Sequence, residues 1–284
     1  MALDCTKRLL EKARKEGYAL PAFNITDLHS IMTVVEVCEE EKAPCLIELG
    51  EKTIDVYGTE YISYIAAIAK AVAKKASIPV ALHLDHGERL ETLMMAIREG
   101  FSSVMIDASK ENFEENVVKT KEIVKIAHAC GVSVEAELGH VGVASSEKMD
   151  NQKFHTDPEE AARFVELTNV DFLAVAIGTA HGRYKYEPKL DLERLEKISK
   201  RISIPLVLHG SSGTPGVEET LKFGMAKVNI FTDIQVPIVE KTKEIIDNKP
   251  IEKLKAASIW KPANEAAIPA IRNNIRMLNA SGKA

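Results

Sequence analysis

The stretch PVALHLDHGE, residues 79–88, begins as a buried β-strand and ends in ionisable side chains. Its first four residues are apolar, as is typical of a strand that is covered on both faces of a sheet. His83, Asp85 and His86 then follow within four positions, and Gly87 ends the run. A strand built only for a core would not need two imidazoles and a carboxylate at its end. The stretch therefore predicts a buried sheet with a polar site where its strands end.

Seven further short runs, rich in apolar and β-branched residues, have a similar length. Segments with the 3.6-residue apolar period of an amphipathic helix lie between them, as at 27–40 and 61–75. Two of the helical segments end at Gly100 and Gly131, which suit the left-handed position that follows a helix. The seven runs lie at 20–24, 43–50, 102–107, 133–139, 172–178, 204–210 and 227–232.

Eight strands that alternate with helices predict parallel pairing, because each helix returns the chain to the same end of the sheet. The α/β fold that closes most simply at this length is the (β/α)8 TIM barrel, as a single domain over residues 1–284. A doubly wound open sheet is the alternative, but residues 21–30 are not the glycine-rich first turn that such folds use. The sequence also predicts an extra N-terminal helix at 5–17 and a helical C-terminal tail at roughly 237–280.

Composition restricts the class of protein and of partner. Apolar residues make up 45% of the chain and charged residues 28%, which indicates a soluble globular protein with no membrane-spanning run. The formal net charge of -5 disfavours nucleic acid and anionic membranes as partners. The four cysteines form no CxxC pair and the N-terminus is no signal peptide, so we expect reduced thiols in a cytoplasmic protein.

Polar residues collect at the predicted strand ends. In a barrel of this kind, the active site forms at the C-terminal ends of the strands and in the loops that follow them. Packing alone does not explain so many polar groups at one rim. The residues are Asn24, His83, Asp85, His86, Asp107, Glu135, Glu137, Thr179, His181, His209, Asn229 and Thr232.

Three of these residues, His86, His181 and His209, follow three different strands whose ends meet in a barrel. A single histidine at a strand end is more often a hydrogen-bonded core residue than a metal ligand, but three that converge favour a metal site. Three neutral imidazoles with an open fourth position are typical of catalytic zinc. His83 lies on the same strand face as Asp85, and we interpret His83 as a core residue or a support behind the ligands.

A second cluster lies in HGSSG at 209–213 and KVNIFT at 227–232. Small and polar residues there expose backbone N–H groups and hydroxyls, and barrels often bind phosphate in this position. An ordinary βα turn would also contain glycine. Beside a metal histidine, the two interpretations are about equally favoured.

The sequence resembles the class II, metal-dependent ketose-bisphosphate aldolases, which include the fructose-bisphosphate and tagatose-bisphosphate aldolases. The resemblance extends over nearly the whole chain, and its motifs have the expected order and spacing. They are PAFN at 21–24, HLDH at 83–86, FSSVMIDAS at 101–109, EAELG at 135–139, LAVAIGTAHGRY at 173–184, PLVLHGSSGTP at 205–215 and KVNIFT at 227–232.

This resemblance implies that His86, His181 and His209 bind Zn²⁺ and that Glu137 can hold the metal in an alternative buried position. Asp85 matches the catalytic aspartate, which exchanges a proton with the C4 oxygen of the sugar. Some members also use Na⁺ or K⁺ near the phosphate. The residues expected to bind substrate are Asn24, Gly182, Gly210, Ser212, Asn229 and Thr232.

The implied activity is the reversible cleavage of a phosphorylated ketose, of the fructose- or tagatose-1,6-bisphosphate type, to dihydroxyacetone phosphate and an aldehyde. The protein would then be a carbon–carbon lyase of carbohydrate metabolism, as in glycolysis. The family also suggests a homodimer or a homotetramer.

Two loops depart from the family pattern. The family normally has a GGxED-type loop after its EAELG strand, and an acid in that loop moves the proton at the enediolate carbon. Here the loop lacks that pattern, and Glu147 is the displaced candidate for the acid. After the second strand, Glu48 and Glu51 replace the usual small residues, and they would repel a sugar phosphate unless they are paired or turned away.

These departures keep a second class of function open, a non-catalytic or regulatory relative that binds metal and sugar phosphate. A metal-dependent barrel hydrolase is a third hypothesis. Such hydrolases commonly begin with two metal histidines on the first strand, and LPAFN at 20–24 has none.

Overall fold

The structure is a computed structural model that describes residues 3–143, 154–182, 184 and 187–284. Its strands are β1 (Leu20–Asn24), β2 (Cys45–Gly50), β3 (Val80–Gly87), β4 (Ser103–Ile106), β5 (Ser133–Leu138), β6 (Gly142–Val143), β7 (Phe172–Val175), β8 (Ala180–His181), β9 (Leu206–Leu208) and β10 (Met225–Ile230).

Its helices surround these strands and extend beyond them at both ends of the chain. They are α1 (Thr6–Glu16), α2 (Leu28–Glu40), α3 (Glu51–Tyr57), α4 (Tyr61–Lys75), α5 (Leu90–Arg98), α6 (Phe113–Ala129), α7 (Pro158–Thr168), α8 (Leu192–Ser199), α9 (Thr232–Asp247), α10 (Ala257–Glu265) and α11 (Ile268–Met277).

Eight of the strands form a closed parallel barrel in the order β1-β10-β9-β7-β5-β4-β3-β2. The short strands β6 and β8 pair with each other outside it. Each strand of the barrel is buried by the apolar faces of the helices outside. The predicted (β/α)8 TIM barrel is therefore confirmed.

Local signals in the sequence explain where several helices begin and end. The carboxylate of Asp27 accepts a hydrogen bond from the Ser30 backbone N–H, which caps α2. Asp157 caps α7 in the same way. Gly100 and Gly131 both have the left-handed backbone that was predicted for them after α5 and α6.

The last barrel strand is shorter than predicted, and the C-terminal tail begins earlier. β10 ends at Ile230 rather than at residue 232, and α9 starts at Thr232 rather than near 237. Phe231 already has a right-handed helical backbone, so Thr232 and Asp233 form the first turn of α9. Thr232 therefore contributes to the rim from a helix N-terminus and not from a strand. In the part of the chain that is described, no helix is long and apolar enough to cross a bilayer.

Candidate active site

Three histidines from different strands meet at the C-terminal rim of the barrel. Ligand nitrogens of His86, His181 and His209 all lie within 4.8 Å of one another. The ring centroids are 4.6 Å apart for His86 and His209 and 5.0 Å apart for His86 and His181. The barrel thus brings together the three residues that were selected from the sequence.

A local irregularity directs His86 into this cluster. The register between β3 and β4 shifts between Leu84 and Gly87, and His86 has a φ of 51° at that point. Such bulges redirect side chains at the rims of barrels, and a left-handed backbone is uncommon for a residue other than glycine. The ring is held in place by Asp107, whose Oδ2 lies 2.7 Å from His86 Nδ1. Asp107 in turn accepts hydrogen bonds from the Ser109 backbone N–H and hydroxyl.

His209 is fully buried and is oriented from the opposite side. Its Nε2 lies 2.7 Å from Oε1 of Glu135 on β5, and its Nδ1 lies 3.0 Å from Nε2 of His86. Each carboxylate accepts the N–H of its histidine, because a carboxylate can only accept. Two nitrogen lone pairs then face each other across 3.0 Å in the neutral rings.

In neutral rings, that arrangement favours a proton or a metal ion between the two nitrogens, since facing lone pairs repel each other. Imidazole nitrogens backed by carboxylates are the usual environment of a metal-binding histidine. A set of three imidazoles suits Zn²⁺ among the common metals. The residues present therefore fit the metal centre that the sequence predicts.

Glu137 approaches the same cluster from β5. One carboxylate oxygen accepts a hydrogen bond of 2.9 Å from the Val141 backbone N–H, while the other has no hydrogen-bond partner among the described residues. Burial, together with the nearby Asp107, raises the pKa of Glu137 to about 8. Together with His86 and Asp107 it forms a second group that could hold a metal ion. The alternative metal position at Glu137 stays a prediction.

Asp85 lies beside the histidines and is held by two amides. Asn24 donates a hydrogen bond of 2.7 Å to its Oδ2, and Asn229 donates one of 2.9 Å to its Oδ1. Burial alone would raise the pKa of Asp85, but His86 and His209 hold that pKa well below its usual range. Both asparagines, which were predicted to bind substrate, therefore also support the predicted catalytic carboxylate.

The two predicted phosphate segments lie next to each other. Ser211 donates a hydrogen bond of 2.6 Å to the Asn229 carbonyl oxygen, and Ser212 Oγ accepts one of 3.3 Å from the Asp233 backbone N–H. Ser212 thus contacts the first turn of α9, which Thr232 begins. A helix N-terminus with small polar residues around it is a favourable place for an anion.

Gly210 allows a close contact between two loops of the rim. Its φ is 64°, and a Cβ there would lie 2.6 Å from the Ala180 carbonyl oxygen. No other residue fits that space without moving the loop that carries His181. Gly182 also has a left-handed backbone, with a φ of 97°.

Tyr184 links the same two loops and was not identified from the sequence. Its hydroxyl accepts a hydrogen bond of 2.7 Å from the Ala180 backbone N–H and donates one of 2.7 Å to the Gly210 carbonyl oxygen. These contacts lie next to His181 and His209 in the chain. The only signal in the sequence was the position of Tyr184 at the end of the IGTAHGRY motif.

A buried ionic network lies below the histidines, inside the barrel. Nζ of Lys227 lies 2.6 Å from Glu48 Oε1 and 2.8 Å from Glu135 Oε2. Burial would raise the pKa of Glu135, but Lys227 and His209 lower it to about 2. His83 is also fully buried there and hydrogen-bonds to Ser103, so it lies apart from the three rim histidines.

Neither of the two acids predicted for the loop after the second strand faces the substrate as an unpaired charge, and Glu48 lies within β2 itself, while Glu51 begins α3. Glu48 is fully buried and paired with Lys227. Glu51 accepts hydrogen bonds from the Glu88 backbone N–H, at 2.6 Å, and from the Arg89 guanidinium. Both carboxylates are therefore paired, so they need not repel an anionic sugar phosphate. Glu147 lies outside the described residues, and its role stays a prediction.

Comparisons with known proteins identify the family. The family model described as Fructose-bisphosphate aldolase class-II matches residues 4–283. A probable fructose-bisphosphate aldolase of Bacillus subtilis (strain 168) is 37% identical over 288 residues, and the match covers 100% of both proteins. A fructose-bisphosphate aldolase of Staphylococcus aureus (strain Mu50) is 38% identical over 291 residues, again with 100% of both covered.

Solved structures agree with this assignment. The YdjI aldolase from Escherichia coli K12 superposes with a TM-score of 0.87 at 34% identity, over 100% of both chains. A putative fructose-1,6-biphosphate aldolase from Coccidioides immitis gives a TM-score of 0.85 at 29% identity, over 98% of this chain and 97% of that one. The chain therefore belongs to the class II fructose-bisphosphate aldolase family, whose members are metal-dependent carbon–carbon lyases.

Proposed function

We propose that the protein is a zinc-dependent aldolase that reversibly cleaves a phosphorylated ketose, of the fructose- or tagatose-1,6-bisphosphate type. The products would be dihydroxyacetone phosphate and an aldehyde. The observation that carries this proposal is the pair of imidazole nitrogens of His86 and His209, 3.0 Å apart beside the doubly hydrogen-bonded Asp85. A regulatory protein would not need this juxtaposition of metal ligands and a positioned base.

The assigned residues divide the reaction into two proton transfers. Asp85 removes the proton from the C4 hydroxyl, so that C4 becomes the aldehyde carbon and the electrons of the C3–C4 bond remain on C3. Zinc held by His86, His181 and His209 would supply the Lewis acid that draws electrons toward the ketone oxygen. C3 must then receive a proton, and we assign that transfer to Glu147.

Schiff-base chemistry receives no support from the lysine inside the barrel. Lys227 is fully buried and lies between two carboxylates, Glu48 and Glu135. These carboxylates raise its pKa above the usual range, against the effect of burial. An amine has to lose its proton before it can attack a carbonyl, and this environment opposes that loss.

The substrate phosphate is assigned to the rim formed by Gly182, Gly210, Ser212, Asn229 and Thr232. The first turn of α9 and the HGSSG loop support this assignment, because both present backbone N–H groups at one place. Na⁺ or K⁺ near the phosphate belongs to the same proposal.

We also propose a cytoplasmic homodimer or homotetramer. The four cysteines are free thiols, which suits a reducing compartment. Large apolar side chains are exposed on and around the C-terminal helices, which suits contact with a second copy. They are Val239, Ile246, Ile251 and Trp260.

A coupled assay for dihydroxyacetone phosphate tests the activity. Zinc-loaded protein should release this product from fructose 1,6-bisphosphate, tagatose 1,6-bisphosphate or a related ketose phosphate. Asp85→Asn keeps the shape of the side chain but removes the base, so the rate should fall by about 10²–10⁴-fold. Its zinc content should match that of the unsubstituted protein. Full activity in Asp85→Asn would rule out the assigned base.

The altered loop after β5 favours the regulatory relative as the second candidate function. Exchange with solvent of a proton on the hydroxymethyl carbon of dihydroxyacetone phosphate, which corresponds to C3 of the ketose, separates the two. An aldolase catalyses the exchange, because it moves a proton at that carbon. If the protein binds zinc and dihydroxyacetone phosphate but exchanges no proton, the regulatory function replaces the aldolase proposal.

A further inference from the structure

Three buried side chains and the partly buried His86 form a continuous chain from the barrel interior to the candidate metal centre. Lys227 Nζ lies 2.8 Å from Glu135 Oε2, and Glu135 Oε1 lies 2.7 Å from His209 Nε2. The chain continues from His209 Nδ1 to His86 Nε2 over 3.0 Å. A second carboxylate, Glu48, contacts the same ammonium group at 2.6 Å.

The donors and acceptors along this chain have a fixed direction. An ammonium group can only donate, so the oxygen of Glu135 that faces Lys227 must accept. The other oxygen of Glu135 also accepts while the carboxylate is ionised. His209 must therefore carry its proton on Nε2, and its Nδ1 lone pair points toward His86.

We propose that Lys227 is a positioning residue for the metal centre, which acts through Glu135 to keep the proton of His209 on Nε2 and Nδ1 free for the metal. This proposal rests on the metal site of the proposed function. Lys227 does not touch the metal position itself. Its effect is on which nitrogen His209 presents.

A purely structural role explains this arrangement poorly. A buried ion pair is often no more stabilising than well-packed apolar residues of similar volume. Lys227 lies on β10 opposite Leu20 of β1 and Val207 of β9, so an apolar side chain at this position would have an apolar neighbour on each adjacent strand. The ammonium group instead contacts Glu135, the carboxylate that orients the candidate ligand His209.

Glu135→Gln is the decisive variant, because an amide has one accepting and one donating end. Lys227 requires an acceptor, so the amide oxygen should turn toward Lys227 and the NH₂ group toward His209 Nε2. His209 must then accept at Nε2 and carry its proton on Nδ1, where the metal would bind. We expect zinc affinity to fall by about 10–100-fold, the usual effect of removing such a supporting group.

The tautomer itself can be measured in metal-free protein by the ¹⁵N chemical shifts of His209. The proton should be on Nε2 in the unsubstituted protein and on Nδ1 in Glu135→Gln. Zinc affinity is measured separately by competition with a chelator of known affinity. Neither measurement needs turnover, so the proposal is still tested if the protein cleaves no ketose phosphate.

The double variant Glu135→Gln with Lys227→Met separates positioning from simple loss of structure. Without the ammonium group, the amide is free to turn its oxygen toward His209, so zinc affinity should recover in part. A structural role predicts further loss instead. If the double variant does not fold, the tautomer in Glu135→Gln alone decides.

Asp171→Asn is the matched control. Asp171 is a buried carboxylate that pairs with Lys7 at 2.9 Å and with His128 at 2.7 Å, at the N-terminal end of β7 and away from the rim. Its loss should lower thermal stability but leave zinc affinity unchanged. The proposal is overturned by a Glu135→Gln protein that keeps the proton on Nε2 or binds zinc as tightly as the unsubstituted protein.

Discussion

At the scale of single residues, carboxylates determine which nitrogen each histidine offers to a metal. Asp107 contacts Nδ1 of His86, whereas Glu135 contacts Nε2 of His209. The two rings therefore present different atoms, Nε2 and Nδ1, toward the same point. The carboxylate on one nitrogen of each ring leaves the other nitrogen for the metal, and small movements of the rings would not alter this.

Glu147 is the residue on which turnover should depend most after Asp85. If it moves the proton at C3, Glu147→Ala should slow turnover by about 10²–10⁴-fold, the usual contribution of a general acid–base group. Exchange of the dihydroxyacetone phosphate proton should fall in parallel, while zinc content stays unchanged because Glu147 is not expected to be a ligand. An unaltered exchange rate in this variant would assign the proton transfer to another group.

At the scale of elements, short irregular segments position the site and regular ones support it. The bulge at the end of β3 turns His86 inward, and the loop after β9 carries His209 and Gly210. Tyr184 and Gly210 hold that loop against the segment that carries His181. Changes in these connections should therefore alter metal binding more than changes of similar size on the outer helices.

Gly210→Ala should damage the site, since the new Cβ would lie 2.6 Å from the Ala180 carbonyl oxygen. Gly17→Ala is the control, because Gly17 also has a positive φ, of 72°. An added Cβ at Gly17 would have no atom within 4 Å. Gly17→Ala should cost only the left-handed backbone, about 1–2 kcal/mol of unfolding free energy. Gly210→Ala should cost more in denaturant unfolding and should also weaken zinc binding. Equal effects of the two variants on both measurements would contradict the close contact.

The loop after β9 and the first turn of α9 should bind the phosphate of the substrate. Ser212→Ala removes a hydroxyl at this place, so KM for the ketose phosphate should rise with little change in kcat. Asn229→Ala also removes a hydrogen bond of 2.9 Å to Asp85, so kcat should fall as well. Inorganic phosphate should compete with substrate in the unsubstituted protein, and weaker competition is expected in Ser212→Ala. Identical kinetic effects of the two substitutions would argue against this division of roles.

At the scale of the whole molecule, the barrel encloses buried charged groups and carries the candidate metal ligands at its rim. Metal removal should therefore act on activity and on stability together. Chelation should abolish activity, and Zn²⁺ or Co²⁺ should restore it. Zinc at a thousandfold excess over its Kd should add about 4 kcal/mol to the unfolding free energy, because it binds the folded state. Full activity in protein shown by elemental analysis to lack transition metal would refute the metal centre.

The sequence by itself determined the architecture and the identity of most candidate ligands. Apolar periodicity is a local property of backbone geometry, so eight strands and their helices could be placed from it. The convergence of His86, His181 and His209 also followed, because parallel strands that close a barrel end at one rim. Strand and helix ends were less predictable, as at Ile230 and Thr232.

Only the tertiary structure decided how these residues are held. Lys227 meets Glu135 across 92 positions and Asn229 meets Asp85 across 144. No local pattern encodes such pairs, because they depend on barrel closure and on the register of each strand. Barrel closure also pairs Glu48 with Lys227. From the sequence alone, we could not tell whether Glu48 has a partner of opposite charge.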